Sequence, residues 1–331
     1  MKLLFLKTLL YAVLILVCLE LIVRIFHLYE EQPVFIINDK NVKTYAPNQN
    51  GFSVTGNRKM NFTHYHINKS GFNSYREFTP SKDKIDVALI GDSFIEGLHQ
   101  NYYNSIGKKI ENKLNDGVEV FEYGHSGYDF ADALHLINAY KDKFQQIDEI
   151  IIYMKFENDL QRDSYKPDQY WIDSQYFLFS RIKKKIKLLS YLDGIGALEP
   201  FRNLKTKLFS LGKRSNNKTT IIKSDENTAR DLKYLENFKK LIQTYGFNKN
   251  KTAILLDSNK TSQLFLDYSN SQGYTVIDFS DIIAQSKTPT TLIYDMHWNN
   301  HGRNIIATVI GNYIKEKQKD KFNTLPKTES K

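Results

Sequence analysis

Five short apolar runs, separated by segments with helical character, constrain this chain more than anything else in it. They are residues 86–90, 118–123, 149–154, 252–257 and 274–279. Strands that are apolar almost throughout must be covered on both faces, which is the situation of a parallel sheet. The cover is supplied by helix-like segments near 103–114, 129–145, 226–243, 260–271 and 301–317. Asn115-Asp116-Gly117 closes the first of them with turn chemistry. Alternation of this kind predicts a three-layer α/β/α sandwich around a central parallel sheet, of flavodoxin-like type. Ligands of such sheets bind beyond the carboxyl ends of the strands. No internal repeat is visible.

The length of 331 residues suits one large α/β domain with additions, or two small domains. The division read here is an N-terminal membrane anchor at 1–28, a linker and packing segment at 29–80, the main domain at 81–320 and a polar tail at 321–331. Within the main domain, residues 162–223 interrupt the alternation. This insertion holds 14 Lys and Arg against 5 Asp and Glu, a net of +9, which equals the net charge of the whole chain. The basic character is therefore local. Tyr170-Trp171 and Tyr176-Phe177-Leu178-Phe179 precede Arg181-Ile182-Lys183-Lys184-Lys185-Ile186-Lys187. Basic residues mixed with aromatic and aliphatic ones suit a helix lying on an anionic membrane surface, here residues 177–189. A solvated insertion packed on the domain is the competing reading. Nucleic acid is a poorer partner, because an external anchored domain would not meet it.

From Thr8 to Leu19 there is no charge, and Lys7, Glu20 and Arg24 are the only charges between Leu3 and Phe26. A bilayer span needs about 20 mostly apolar residues. Around Val17-Cys18-Leu19 no small-residue cleavage site appears, and Val17 is the wrong neighbour for a lipoprotein cysteine. Residues 3–26 are read as an uncleaved single-pass anchor in the cytoplasmic membrane. Lys2 and Lys7 favour a cytoplasmic N-terminus, which puts the rest outside the cytoplasm. With Cys18 the only cysteine, no intrachain disulfide can form.

The chemistry-bearing residues sit where the sheet would present them. Gly91-Asp92-Ser93-Phe94 ends the first apolar run, while Gly127 and Asn158 follow the second and third. Far downstream, Asp295-Met296-His297 offers a carboxylate and an imidazole at short spacing. A serine hydroxyl becomes a nucleophile when a base takes its proton. His297 is the candidate base, and Asp295 can orient it and stabilise the imidazolium. Asp92 is read as supporting the serine turn. His301 is read as a first-turn helix residue; His99 and His125 could line the cleft, with ordinary polar loop residues the favoured reading. His64 and His66 could share one strand face, but no carboxylate or cysteine partner is evident, so no metal is expected. Phosphate-binding glycine patterns are absent, and no cofactor is expected. Gly91-x-Ser93-x-Ile95 also lacks the second glycine of the α/β-hydrolase elbow.

In this order Ser93, Gly127, Asn158 and His297 resemble the four blocks of the SGNH (GDSL-like) hydrolase superfamily, over roughly residues 65–160 and 250–315. Asn68-Lys69-Ser70-Gly71-Phe72 resembles the segment that often precedes the serine block in its bacterial, membrane-anchored branch. Two departures stand out. Phe156 replaces a usual glycine in the third block, and a single residue separates Asp295 from His297 where many members have two. Trp298 and Asn299 follow, similar to polysaccharide O-acetyltransferases. The resemblance implies Ser93, Asp295 and His297 as catalytic residues, with Ser93, Gly127 and Asn158 forming the oxyanion hole. It also implies a serine esterase or O-acyltransferase acting on small O-acyl esters of envelope carbohydrate. Two alternatives stand beside it: a non-catalytic envelope module that binds glycan or a partner membrane protein, and a lipid esterase working at the membrane surface.

Overall fold

The computed structural model describes residues 1–331 except 56–60, 82, 116, 201–222 and 325–331, and leaves out the side chains of residues 55 and 223–226. A 24-residue helix, α1 (Lys2–Ile25), comes first. Four short strands follow. β1 (Phe35–Ile37) pairs antiparallel with β2 (Lys43–Tyr45), and β3 (Asn50–Thr55) pairs with β4 (Asn61–His66). The central sheet is built from β5 (Ile85–Gly91), β6 (Val118–Gly124), β7 (Glu149–Tyr153), β8 (Thr252–Leu256) and β9 (Thr275–Asp278). Every neighbouring pair is parallel, in the order β6-β5-β7-β8-β9. In chain order that is 2-1-3-4-5, the flavodoxin-like arrangement, whose ligand crevice opens where the winding reverses. The reversal falls at β5, between β6 and β7.

Side chains alternate across each strand. Ala88, Ile90, Phe121, Tyr123, Ile150 and Ile152 face one apolar cluster, covered by helices Phe130–Ala139, Lys223–Tyr245 and Gln263–Ser271. Val87, Leu89, Val118, Val120 and Ile151 face the other, covered by Ile106–Lys113 and Asn300–Lys317. Burying one Leu or Ile is worth about 1.5–3 kcal/mol. Both layers are therefore needed, and the three-layer sandwich expected from the sequence is the one observed. Each of the five sheet strands also begins and ends within about two residues of its apolar run.

By compactness the chain divides into two units. One comprises Met1–Gln32, Phe52–Thr63 and Asp168–Ile221, the other Pro33–Gly51, His64–Pro167 and Ile222–Lys331. The second contains the sheet. In the first, α1 is long and apolar enough to cross a membrane, and nearly all its large apolar side chains are exposed. Two of its charges, Glu20 and Arg24, bind the insertion. Glu20 accepts the N–H groups of Lys187 (3.0 Å) and Leu188 (2.7 Å), capping helix Lys187–Gly194. Arg24 pairs with Glu20 (2.7 Å) and donates to the carbonyl of Lys185 (2.7 Å), at the end of helix Leu178–Lys185. Val23, Tyr29, Phe52 and Leu188 form a small core at this junction. The insertion also presents exposed Tyr170, Trp171, Tyr176, Phe177, Leu178 and Phe179. Its remainder, 201–222, lies outside the described residues.

Candidate active site

Ser93 opens a four-residue helix (Ser93–Glu96) directly after β5. Asp92 caps it, accepting the N–H of Phe94 at 2.9 Å, which is the supporting part read for it from the sequence. The other oxygen of Asp92 is ion-paired with Lys155, at the end of β7. The Lys155 ammonium also lies 5.1 Å from the ring centre of Phe94, and its backbone N–H donates to Asp159 (2.7 Å). Burial pushes the Asp159 carboxyl well above the usual range, against that hydrogen bond. Lys155 thus ties the serine turn to the short helix Phe156–Asp159 that carries Asn158. The sequence reading missed this role, although a lysine ending an apolar strand is a visible irregularity.

A second tie runs from the same helix toward β6. Glu96, fully buried, accepts the hydroxyl of Tyr45, the N–H of Ser126 (2.9 Å) and the hydroxyl of Ser126 (2.6 Å). Burial raises its carboxyl above the ordinary value, while these bonds oppose the rise. The helix approaches β6 so closely that a Cβ on Gly124 would stand 2.0 Å from the Glu96 nitrogen. Gly127, one residue beyond Ser126, has φ +72°, a conformation that strains any L side chain. Its carbonyl accepts from Lys43 (3.1 Å). The segment read as a linker thus supplies Tyr45 and Lys43 beneath the site.

His297 and Asp295 come from the loop before helix Asn300–Lys317. The loop closes on itself through Leu292 N–H to the His297 carbonyl (2.9 Å) and Asn299 N–H to the Thr290 carbonyl (3.0 Å). Trp298 is buried, edge-on to Phe94 at 4.8 Å and 5.1 Å from Tyr153. Fixed in this way, His297 Nε2 lies 2.7 Å from Ser93 Oγ across 204 positions of sequence. Its Nδ1 is hydrogen-bonded to Asp295 Oδ1, which also accepts the His297 backbone N–H (2.9 Å). Burial opposes the charge on Asp295, but the bonds from His297 outweigh it and hold the carboxyl below its usual value. With its proton on Nδ1, the imidazole offers a lone pair to the serine hydroxyl. The one-residue spacing from Asp295 to His297 therefore closes the chain, because both groups sit in a turn and not on a straight strand.

Gly127 and Asn158 follow the two strands that flank β5. Among the described residues, no acceptor takes the N–H of Ser93, the N–H of Gly127 or the side-chain amide of Asn158, which is exposed. The departure at Phe156 is explained by packing: the ring is 2% exposed and lies against Tyr234 and Phe265, at 5.6 and 5.5 Å.

The remaining histidines divide. His301 Nε2 is 3.0 Å from Ser286 Oγ in the first helical turn, a structural contact as read. His66 bonds Asn50 (2.7 Å) and stacks on Tyr75. His125, read as a polar loop residue, is instead fully buried between the rings of Tyr45 (4.4 Å) and Tyr128 (5.0 Å). Burial pulls its pKa down to about 3, so it is a neutral core ring. His99, for which lining the cleft is the less favoured reading of the sequence, lies at the site: its ring centre is 4.2 Å from that of His297. Burial, and then the nearby His297, draw its pKa to about 4.

No family model matches the sequence. No curated protein matches it either. Solved structures do. A lipase/acylhydrolase from Enterococcus faecalis is 12% identical, with 70% of this chain and 96% of that one covered and a TM-score of 0.38. A carbohydrate acetylesterase family member from Sinorhizobium meliloti is 10% identical over 70% and 98%, with a TM-score of 0.35. A member of the lipolytic protein G-D-S-L family from Veillonella parvula is 14% identical over 72% and 99%, with a TM-score of 0.34. The chain is similar to these structures of lipolytic and acetylesterase proteins at low identity.

Proposed function

We propose that the protein is a serine esterase or O-acyltransferase of SGNH type. It would be anchored by α1 and work outside the cytoplasm on small O-acyl esters of envelope carbohydrate. The observation that carries this reading is the hydrogen-bonded chain from Asp295 through His297 to Ser93, at the reversal point of the sheet. In the first half-reaction His297 Nε2 takes the hydroxyl proton of Ser93 as Oγ attacks the acyl carbonyl. The N–H groups of Ser93 and Gly127 and the amide of Asn158 are the donors for the oxyanion, each worth about 10²–10³ in rate. Collapse expels the alcohol, which leaves with the proton held on His297, and the acyl group stays on Ser93. In the second half-reaction water or a sugar hydroxyl gives its proton to His297 and attacks the acyl-serine; the bond from the acyl carbon to Ser93 Oγ then breaks, and His297 returns the proton to Oγ. Hydrolase and transferase differ only in that acceptor.

Mixing the full-length protein with a short aryl acetate should give a burst of phenol and a transient acetyl mass on the peptide containing Ser93. Acid quenching and peptide mass analysis read both. An unmodified Ser93 with no turnover would favour the binding-module alternative.

The lipid-esterase alternative rests on the exposed aromatic and basic face of the insertion, held by Glu20 and Arg24 at the C-terminal end of α1. If α1 spans the bilayer, this face lies at lipid headgroup level, where Trp and Tyr settle and each basic residue gains about 1 kcal/mol from anionic lipid. The chain has only two tryptophans, and Trp298 is buried. In vesicles carrying quencher-labelled headgroups, the reconstituted protein should lose Trp171 emission, and Trp171→Phe should remove the quenchable component. Emission that resists the quencher would place the insertion in water.

A further inference from the structure

Ester chemistry at this site uses His297 and Asp295, and it leaves a third ligand-type side chain beside them unexplained. His99 Nε2 lies 3.9 Å from Asp295 Oδ2. One ligand atom each from His99, Asp295 and His297 fall within 4.8 Å of one another. All three side chains are about one-fifth exposed, so an ion can reach them from solvent. Two imidazoles and a carboxylate form a donor set typical of zinc, which leaves a fourth tetrahedral position for water. Bonds of about 2.0–2.1 Å would hold the three ligand atoms roughly 3.3 Å apart. The cluster therefore needs only a modest contraction, and His99 sits in the loop after Gly97.

We propose that His99, Asp295 and His297 form a reversible inhibitory site for zinc, with His99 completing it. The inhibition rests on the esterase reading, whereas the binding does not. Zinc stops the reaction whichever nitrogen of His297 it takes. If it binds Nδ1, the ring proton must move to Nε2, and no lone pair faces Ser93. If it binds Nε2, that lone pair is itself the metal bond. In both cases Asp295 turns toward the ion. The magnesium and calcium ions of the envelope prefer all-oxygen sites and should not compete.

The test uses the full-length protein in detergent with zinc chloride as the probe, His99→Phe and His99→Gln as variants, and Ser93→Ala as an inactive control. Phenylalanine keeps a ring against His297, and glutamine keeps a polar side chain of similar size. Zinc should inhibit aryl acetate hydrolysis reversibly, with EDTA restoring it, while magnesium and calcium have no effect. Both His99 variants should retain hydrolysis but need at least tenfold more zinc for half inhibition, since even outer-shell losses cost 10–100-fold in metal affinity. Competition with a chromogenic chelator should show one zinc bound by wild type and by Ser93→Ala, and weakened in both His99 variants. Equal zinc affinity in wild type and both folded His99 variants would overturn the site. Zinc binding that depends on His99, in a protein that turns over no ester, would leave the site standing and defeat the esterase reading instead.

Discussion

Ser93→Ala should lower the turnover of a short aryl acetate by several orders of magnitude, on the order of 10⁶ if the residues act as one unit. The hydroxyl removed is the atom 2.7 Å from His297 Nε2, and the substitution takes away little else. The turn is held by Asp92, by Glu96 beneath it and by the Lys155 ion pair, none of which involves the serine hydroxyl. Folding stability should therefore change by less than about 1 kcal/mol, as for substitutions that break no buried contact. Steady-state kinetics beside thermal unfolding gives both quantities. More than a tenth of the activity surviving in a protein of unchanged melting temperature would remove Ser93 as the nucleophile.

Asp295→Asn should cut kcat by about 10⁴ with the fold intact. An asparagine can still accept the His297 backbone N–H. It carries no charge, however, and can present an amide N–H to Nδ1. The ring proton then shifts to Nε2, and the lone pair facing Ser93 is lost. His297→Ala should be at least as severe. The double variant should be barely worse than His297→Ala, because groups that act in one step do not contribute additively. Multiplicative losses would give Asp295 a separate task and leave Ser93 and His297 as a dyad. Since its bonds to His297 hold the Asp295 carboxyl below the usual range, wild type should keep that charge well into acid.

The sheet was legible because its cause is local. Ile85–Gly91 and its counterparts are apolar on both faces, and a run of that kind has few other places to go. Ser93, Gly127, Asn158 and His297 could be picked out because each lies beside an element boundary that the chain marks with glycine, asparagine or a polar turn. What was not legible depends on pairs far apart in sequence. Nothing in the neighbourhood of His99 announces Asp295, 196 positions away, and nothing near His125 announces the rings of Tyr45 and Tyr128 that bury it. Glu96 and Lys43 look like ordinary surface charges in a list of letters. Their positions emerge only when the winding of the sheet brings β5, β6 and β7 side by side.

The charges of α1 teach the same lesson from the other side. In the sequence Glu20 and Arg24 are blemishes on an apolar segment. In the structure they are the groups that terminate two insertion helices. Their partners, Lys185, Lys187 and Leu188, lie more than 160 positions downstream, beyond the reach of any local pattern.

The loop that carries His297 has an uneven division of duties. Trp298 and Asn299 nail it down on one side, and the Leu292 bond draws its two limbs together. Between those fixed points Ile293 and Met296 stand 93% and 76% exposed. Mutation can therefore rewrite these two side chains without moving the imidazole. On the proposed esterase reading, substitution at these two positions changes the outer surface of the loop while the hydrogen bonds from Asp295 through His297 to Ser93 stay in place.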